Sequence, residues 1–144
     1  MPPVTFSIED EWPGFNNVEL WQTDDAMPKL SDVYHRDVSK KYDFDIPVGV
    51  VRFCTMRLPP LKKIIAHQEH IGKTVDSKTF GMHKTNTIDY IVLLEGEVTL
   101  ILDTGEEKTL KPGDTVVQKG NLHIWHNRGD VDCLMACVMV GAKE

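Results

Sequence analysis

The sequence predicts an all-β domain, a barrel or a two-sheet sandwich, and three observations carry that reading. Short runs rich in β-branched and apolar residues follow one another through the second half: Ile88 to Leu94, Val98 to Asp103, Glu106 to Leu110, Thr115 to Gln118, His123 to Asn127 and Cys133 to Val140. Turn formers separate them, at Glu95-Gly96, Thr104-Gly105, Lys111 to Asp114, Lys119 to Asn121 and Arg128 to Asp130. Strands this short, punctuated this regularly, belong to closed or double-layered β architectures. An earlier stretch, Val48 to Leu58, has the same texture and stops at Pro59-Pro60, where a strand must end.

Residues 1–47 form an N-terminal extension ahead of a barrel at 48–144. Trp12, Phe15, Val18, Leu20 and Trp21 are apolar anchors set between turn residues such as Pro13-Gly14 and Asn16-Asn17. No strand pattern is evident there, so the extension is expected to drape over the sheet or over a partner subunit. Asp37 to Asp45 reads as a charged surface loop. In residues 61–80, Leu61, Ile64, Ile65, Gln68 and Ile71 have helical spacing, but the stretch is short and is expected to form a loop over the barrel. Further on, Val98, Leu100 and Leu102 share one strand face, and Ile101 makes the other face apolar too, so that strand is expected to be covered on both sides.

A chain of 144 residues fits one domain, and 41% hydrophobic residues suffice for a core without staples. The formal net charge is −6, with no long run of Lys and Arg. Nucleic-acid and membrane-surface partners, which select basic faces, are disfavoured. No apolar stretch approaches the roughly 20 residues that cross a bilayer. Met1-Pro2-Pro3-Val4 lacks the charged start and apolar run of a secretory signal, which points to a cytoplasmic protein. Cys54, Cys133 and Cys137 are an odd set without a framework and are expected to be buried, inert thiols in a reducing compartment.

Two stretches carry chemistry. His83-Lys-Thr85, three residues, Asp89, six residues and Gly96 form the first. Gly113-Asp114, then Gln118, Gly120, His123 and Asn127, form the second. Together they resemble, in order and at the right separation, the two motifs of the cupin superfamily, His-x-His followed by Glu and Gly, then Gly, Pro-x-Gly, His and Asn. The departures are Thr85 for the second histidine, Asp89 for the glutamate and Gln118 for the proline. The string looks like small single-domain cupins of microbial and fungal small-molecule metabolism. The resemblance implies a jelly-roll β-barrel, often dimeric, with a small organic molecule bound inside. It leaves the reaction open, because one fold hosts many chemistries.

On a strand, His83 shares a face with Thr85, and His123 with Trp125, while the motif places Asp89 beside them. Two uses of this set stand side by side. His83, Asp89 and His123 form a two-histidine, one-carboxylate set suited to a divalent metal such as Fe, Zn or Mn. Without a metal, Asp89 beside an imidazole in an apolar barrel suits proton transfer, with Thr85 orienting the carboxylate or the substrate. Trp125 serves as a ligand wall or as core. Arg52 either points inward to a substrate carboxylate or does not. Asn127 and Asp114 are expected to be turn residues, and His35, His67, His70 and His126 to face solvent or lie in loops. The expected function is a lyase or isomerase working by acid/base chemistry on a small, partly apolar molecule. The alternatives are a metal-dependent dioxygenase and a non-catalytic binding cupin, and a homodimer is expected in each case.

Overall fold

A computed structural model of the chain describes residues 4–33 and 43–144. Its elements are β1 (Val4–Ser7), β2 (Asn16–Gln22), β3 (Val51–Leu58), α1 (Leu61–His70), β4 (Thr87–Glu95), β5 (Val98–Leu102), β6 (Glu107–Leu110), β7 (Thr115–Lys119), β8 (His123–His126) and β9 (Cys133–Gly141). A six-stranded sheet runs β1-β2-β3-β9-β4-β7, and a three-stranded sheet runs β6-β5-β8. All pairings are antiparallel. The two sheets form an open jelly roll, and the strands expected from residue 48 onward all form.

Strand β9, CLMACVMVG, shows the governing pattern. Cys133, Met135, Cys137 and Met139 are buried while the residues between them are half-buried, because successive side chains point to opposite faces. The buried set, with Cys54 and Leu58 of β3 and Ile91 and Leu93 of β4, forms the core between the sheets. In β5, Val98, Thr99 and Ile101 are all buried, so that strand is covered on both sides as its sequence implied.

Two elements differ from the sequence reading. Residues 4–7 and 16–22 are strands of the large sheet, with β2 paired to β3 from Asn16↔Arg57 to Gln22↔Arg52. The period of β2 was inverted: its inward residues are Asn17 and Glu19, both essentially without solvent exposure, while Trp21 is exposed. Asn17 Nδ2 donates to Cys54 Sγ at 3.8 Å, and Glu19 Oε2 lies 3.4 Å from Arg52 Nε. Residues 61–70 are a helix rather than a loop. Ile64 and Gln68, one turn apart, are its buried residues. Gln68 Nε2 donates to the Glu11 carbonyl at 2.6 Å, so α1 is tied to the chain between β1 and β2.

His126 is buried rather than solvent-facing, with Nε2 3.1 Å from the Phe80 carbonyl. All four residues of β8 are buried, because the chain before His83 covers the face opposite the core. His67 and His70 lie on α1, and His67 Nε2 is 3.0 Å from the Asp10 carbonyl. His35 and most of the Asp37 to Asp45 loop lie outside the described residues. Asn127 and Asp114 act as turn residues: Asn127 Nδ2 donates to the Leu58 and Val131 carbonyls, and Asp114 accepts from the Lys111 N–H. Among the described residues no helix is long and apolar enough to cross a membrane.

Candidate functional site

The facing sheets enclose a cavity of about 750 Å³. Met56 and Leu58 of β3, Asp89 and Ile91 of β4 and Met135, Cys137 and Met139 of β9 line it from the large sheet. His123 and Trp125 line it from the small sheet, joined by His83 and Thr85 on the segment leading into β4. Trp12 and Phe15 also line it, so two aromatic anchors of the N-terminal section contribute to the cavity wall.

A two-residue backbone bridge sets the histidines side by side. The His83 N–H donates to the His123 carbonyl and the His123 N–H to the His83 carbonyl, both at 3.0 Å. The ring centroids are 4.6 Å apart. Each Nδ1 then meets a carbonyl two residues back, Gly81 O for His83 and Asn121 O for His123, both at 2.8 Å. A carbonyl can only accept, so each neutral ring carries its proton on Nδ1 and keeps an Nε2 lone pair. His83 is exposed at the rim and His123 is buried. Burial pulls the His123 pKa below the usual imidazole value, against the hydrogen bond to Asn121 and with a smaller push from His83.

Asp89 is 6% exposed, and its Oδ1 is the buried side-chain oxygen without a hydrogen-bond partner among the described residues. Burial raises its pKa above the usual carboxyl range, while a hydrogen bond from Thr87 and the charge of His83 pull the other way. Thr85 and Thr87 are buried and share a hydroxyl–hydroxyl hydrogen bond of 2.9 Å. Thr85 therefore reaches Asp89 through Thr87, a residue the sequence reading did not single out. The strand period was its available signal, since Thr85, Thr87 and Asp89 alternate onto one face.

Gln118 was also missed as a site residue. It lies directly across the ladder from Asp89 and is buried. Its Nε2 donates to the Lys119 carbonyl and to Asn121 Oδ1, so it holds the turn whose Asn121 carbonyl orients His123. Its position, where the family's proline would stand, was the signal. At the same turn, a Cβ on Gly120 would meet the Thr85 carbonyl at 2.9 Å, which accounts for glycine there.

Arg52 does not line the cavity. Its guanidinium is engaged by Glu19, by Gln22 Oε1 at 2.9 Å and by the Asp43 carbonyl at 2.7 Å. Trp125 is both wall and core, lining the cavity with its ring 6.3 Å from that of His123.

His83, Asp89 and His123 have donor types that suit a divalent metal, and the Nε2 lone pairs and the orphaned Oδ1 are available. Among the described residues, however, no three His, Cys, Asp or Glu side chains gather into a group that could hold one. The three share the cavity without forming a ready-made three-ligand site.

A double-sheet jelly roll with a ligand-sized cavity, two paired histidines and a buried carboxyl on its wall defines a small β-barrel of the cupin type. Residues 74–139 match the Cupin_2 family, described as a cupin domain, so this part of the chain carries a cupin domain. It is 55% identical over 47 residues to "Phomopsin biosynthesis cluster protein C'" of Diaporthe leptostromiformis, covering 33% of this chain and 25% of that protein. It is 46% identical over 46 residues to the "Cupin-domain-containing oxidoreductase virC" of Hypocrea virens, covering 32% of this chain and 24% of that protein. The chain thus spans about a quarter of the length of these relatives. A Cupin 2 conserved barrel domain protein from Salinispora arenicola shares the fold, with a TM-score of 0.50 and 18% identity over 89% of this chain and 76% of that one.

Proposed function

We propose that this cupin is an enzyme of a biosynthetic pathway, a lyase or isomerase that moves a proton on a small, largely apolar molecule. The observation that carries the reading is Asp89, a buried carboxyl whose Oδ1 has no partner among the described residues, in one cavity with two imidazoles. Burial moves Asp89 up and His123 down, so the usual gap between carboxyl and imidazole narrows. Bringing the proton affinities of an acid and a base closer lowers the cost of passing a proton between them through a bound substrate. In this reading Asp89 gives or takes the proton at one substrate atom. The Nε2 of His123 or His83 accepts at another. The walls of Trp12, Phe15, Trp125, Met56, Met135 and Met139 favour an apolar substrate and exclude water.

Metabolite profiling of a strain lacking the gene tests this. The precursor that accumulates should be turned over by the purified protein with no change in oxidation level. A precursor consumed only with uptake of oxygen would overturn the reading. Thr85→Ala should weaken turnover by no more than about tenfold, since it removes one neutral hydrogen bond worth about 0.5–1.5 kcal/mol. A loss of a thousandfold in steady-state kinetics would give Thr85 a direct chemical role.

The similarity to a protein named an oxidoreductase favours a second reading, a metal-dependent dioxygenase using His83, Asp89 and His123. Chelation separates the two readings, because activity that survives it belongs to the side chains.

We also propose a homodimer through the outer face of the large sheet. Cross-strand partners Phe53, Val138, Tyr90 and Val117 form one transverse row on that face, in which Phe53, Tyr90 and Val117 are 42%, 50% and 56% exposed. Contiguous exposed apolar surface of this kind supports association. Sedimentation equilibrium should give a dimer in the wild type and a shift toward monomer in Tyr90→Lys. A monomer at every concentration would contradict it.

A further inference from the structure

The wall of the cavity also holds a thiol pair that the proton-transfer reading does not use. Cys54 on β3 and Cys137 on β9 are direct partners in the antiparallel ladder. The Gly141 N–H donates to the Val50 carbonyl at 2.9 Å in the same ladder, which puts Cys54 and Cys137, further along by an even step, in a hydrogen-bonded pair. Such pairs have Cα atoms about 5.5 Å apart, inside the range a disulfide spans. Cys54 is fully buried beside Asn17, and Cys137 lines the cavity. Cys133, the third thiol, faces Leu58 across the ladder and has no thiol partner there.

We propose that Cys54 and Cys137 form a redox-active pair, a modification site at which a peroxide small enough to enter the cavity closes a reversible cross-strand disulfide. The cavity delivers the oxidant to Cys137. Its sulfur attacks one peroxide oxygen, the O–O bond breaks, and Cys137 sulfenic acid and one water result. Cys54 then attacks the sulfenic sulfur, the S–S bond forms as S–O breaks, and a second water leaves. Two thiols lose two electrons and two protons, and one peroxide becomes two waters.

The two thiols are also linked by a hydrogen bond. The hydrogen bond from Cys137 holds the Cys54 thiol below its usual pKa despite burial, with help from Asn17 and Arg52, and the same bond pushes Cys137 up. The two sulfurs share a proton, and access to the cavity, which Cys137 has and the fully buried Cys54 lacks, decides which one meets the oxidant. Hydrogen-bonded pairs set their side chains wider than a relaxed disulfide wants, so the bond should be strained and easily reduced. Cys133 has neither a thiol partner in the ladder nor a place on the cavity wall, and burial raises its pKa to about 11.

The test is peroxide treatment of the intact protein, removal of peroxide with catalase, unfolding, alkylation with iodoacetamide and mass spectrometry. The expected result is loss of two hydrogens, one alkylated thiol at Cys133, and linked peptides from β3 and β9 that dithiothreitol separates. Cys133→Ser should keep the link and Cys54→Ser should lose it, with Cys137 then trapped as the sulfenic acid by dimedone. Three alkylated thiols after treatment, or a link that runs through Cys133, would overturn the proposal. If Cys54→Ser does not fold, the Cys133→Ser protein alone decides, since it holds only the two thiols in question.

Discussion

Asp89→Asn is expected to lower turnover by a factor on the order of 10²–10⁴ while making the fold more stable at neutral pH. The activity loss follows because an amide neither takes nor gives the proton. The stability gain follows from burial. A carboxylate at 6% exposure whose Oδ1 finds no partner among the described residues carries a desolvation penalty that a neutral amide largely avoids, about 1–3 kcal/mol. The sign with pH is fixed by the raised pKa. Below about 3.9, the unfolded value, Asp89 is protonated in both states and no penalty exists. Between that value and the higher folded one the unfolded state ionises while the folded state holds its proton, so wild type loses stability relative to the variant, and the loss is complete above the folded value. Thermal melts should therefore show the two proteins nearly matched at acid pH and the variant ahead at neutral pH. Wild type ahead at neutral pH would mean that the carboxylate is satisfied in solution, and full activity in the variant would remove Asp89 from the chemistry.

Gly96→Ala is expected to cost more than about 3 kcal/mol, above the range of most single substitutions. Gly96 has φ +75°, where a side chain costs about 1–2 kcal/mol. An added Cβ would also lie 2.7 Å from the Asp132 carbonyl and 3.0 Å from Cys133 Cα, both backbone atoms that have little room to move. The turn at Gly96 takes the chain from β4, which carries Asp89, to β5, which pairs with β8 and so positions His123. Strain there should disturb the relation of the two sheets as well as their stability. The melting temperature should fall by about 10 °C or more, and a change within about 2 °C would mean that the turn relaxes freely.

The legible part of the sequence was the part whose side chains obey the period of their element. Strands β4 to β9 announce themselves by alternation and by Gly and Pro turns, and His83 and His123 were expected to share a site, which the backbone bridge now explains. Strand β2 was illegible because it buries Asn17 and Glu19 and exposes Trp21, the reverse of the usual pattern, with Arg52 supplying the buried charge partner. That same pairing decides the orientation of Arg52, which its own strand position left open. Helix α1 was hidden by its length and by the polar Gln68 on its buried face, where a hydrogen bond to Glu11 replaces an apolar contact. At the site, Thr87 and Gln118 act through other residues, and such indirect roles depend on cross-strand register, which local sequence does not encode.

The claim on which the mechanism rests is that Asp89 is a buried carboxyl that resists ionisation. Titration of the side-chain carboxyl carbons by ¹³C NMR measures this directly, with Asp89→Asn assigning the resonance. Asp89 is expected to titrate above the ordinary aspartate value of about 3.9. A midpoint at or below that value would show a carboxylate stabilised in its charged form, and would contradict the account.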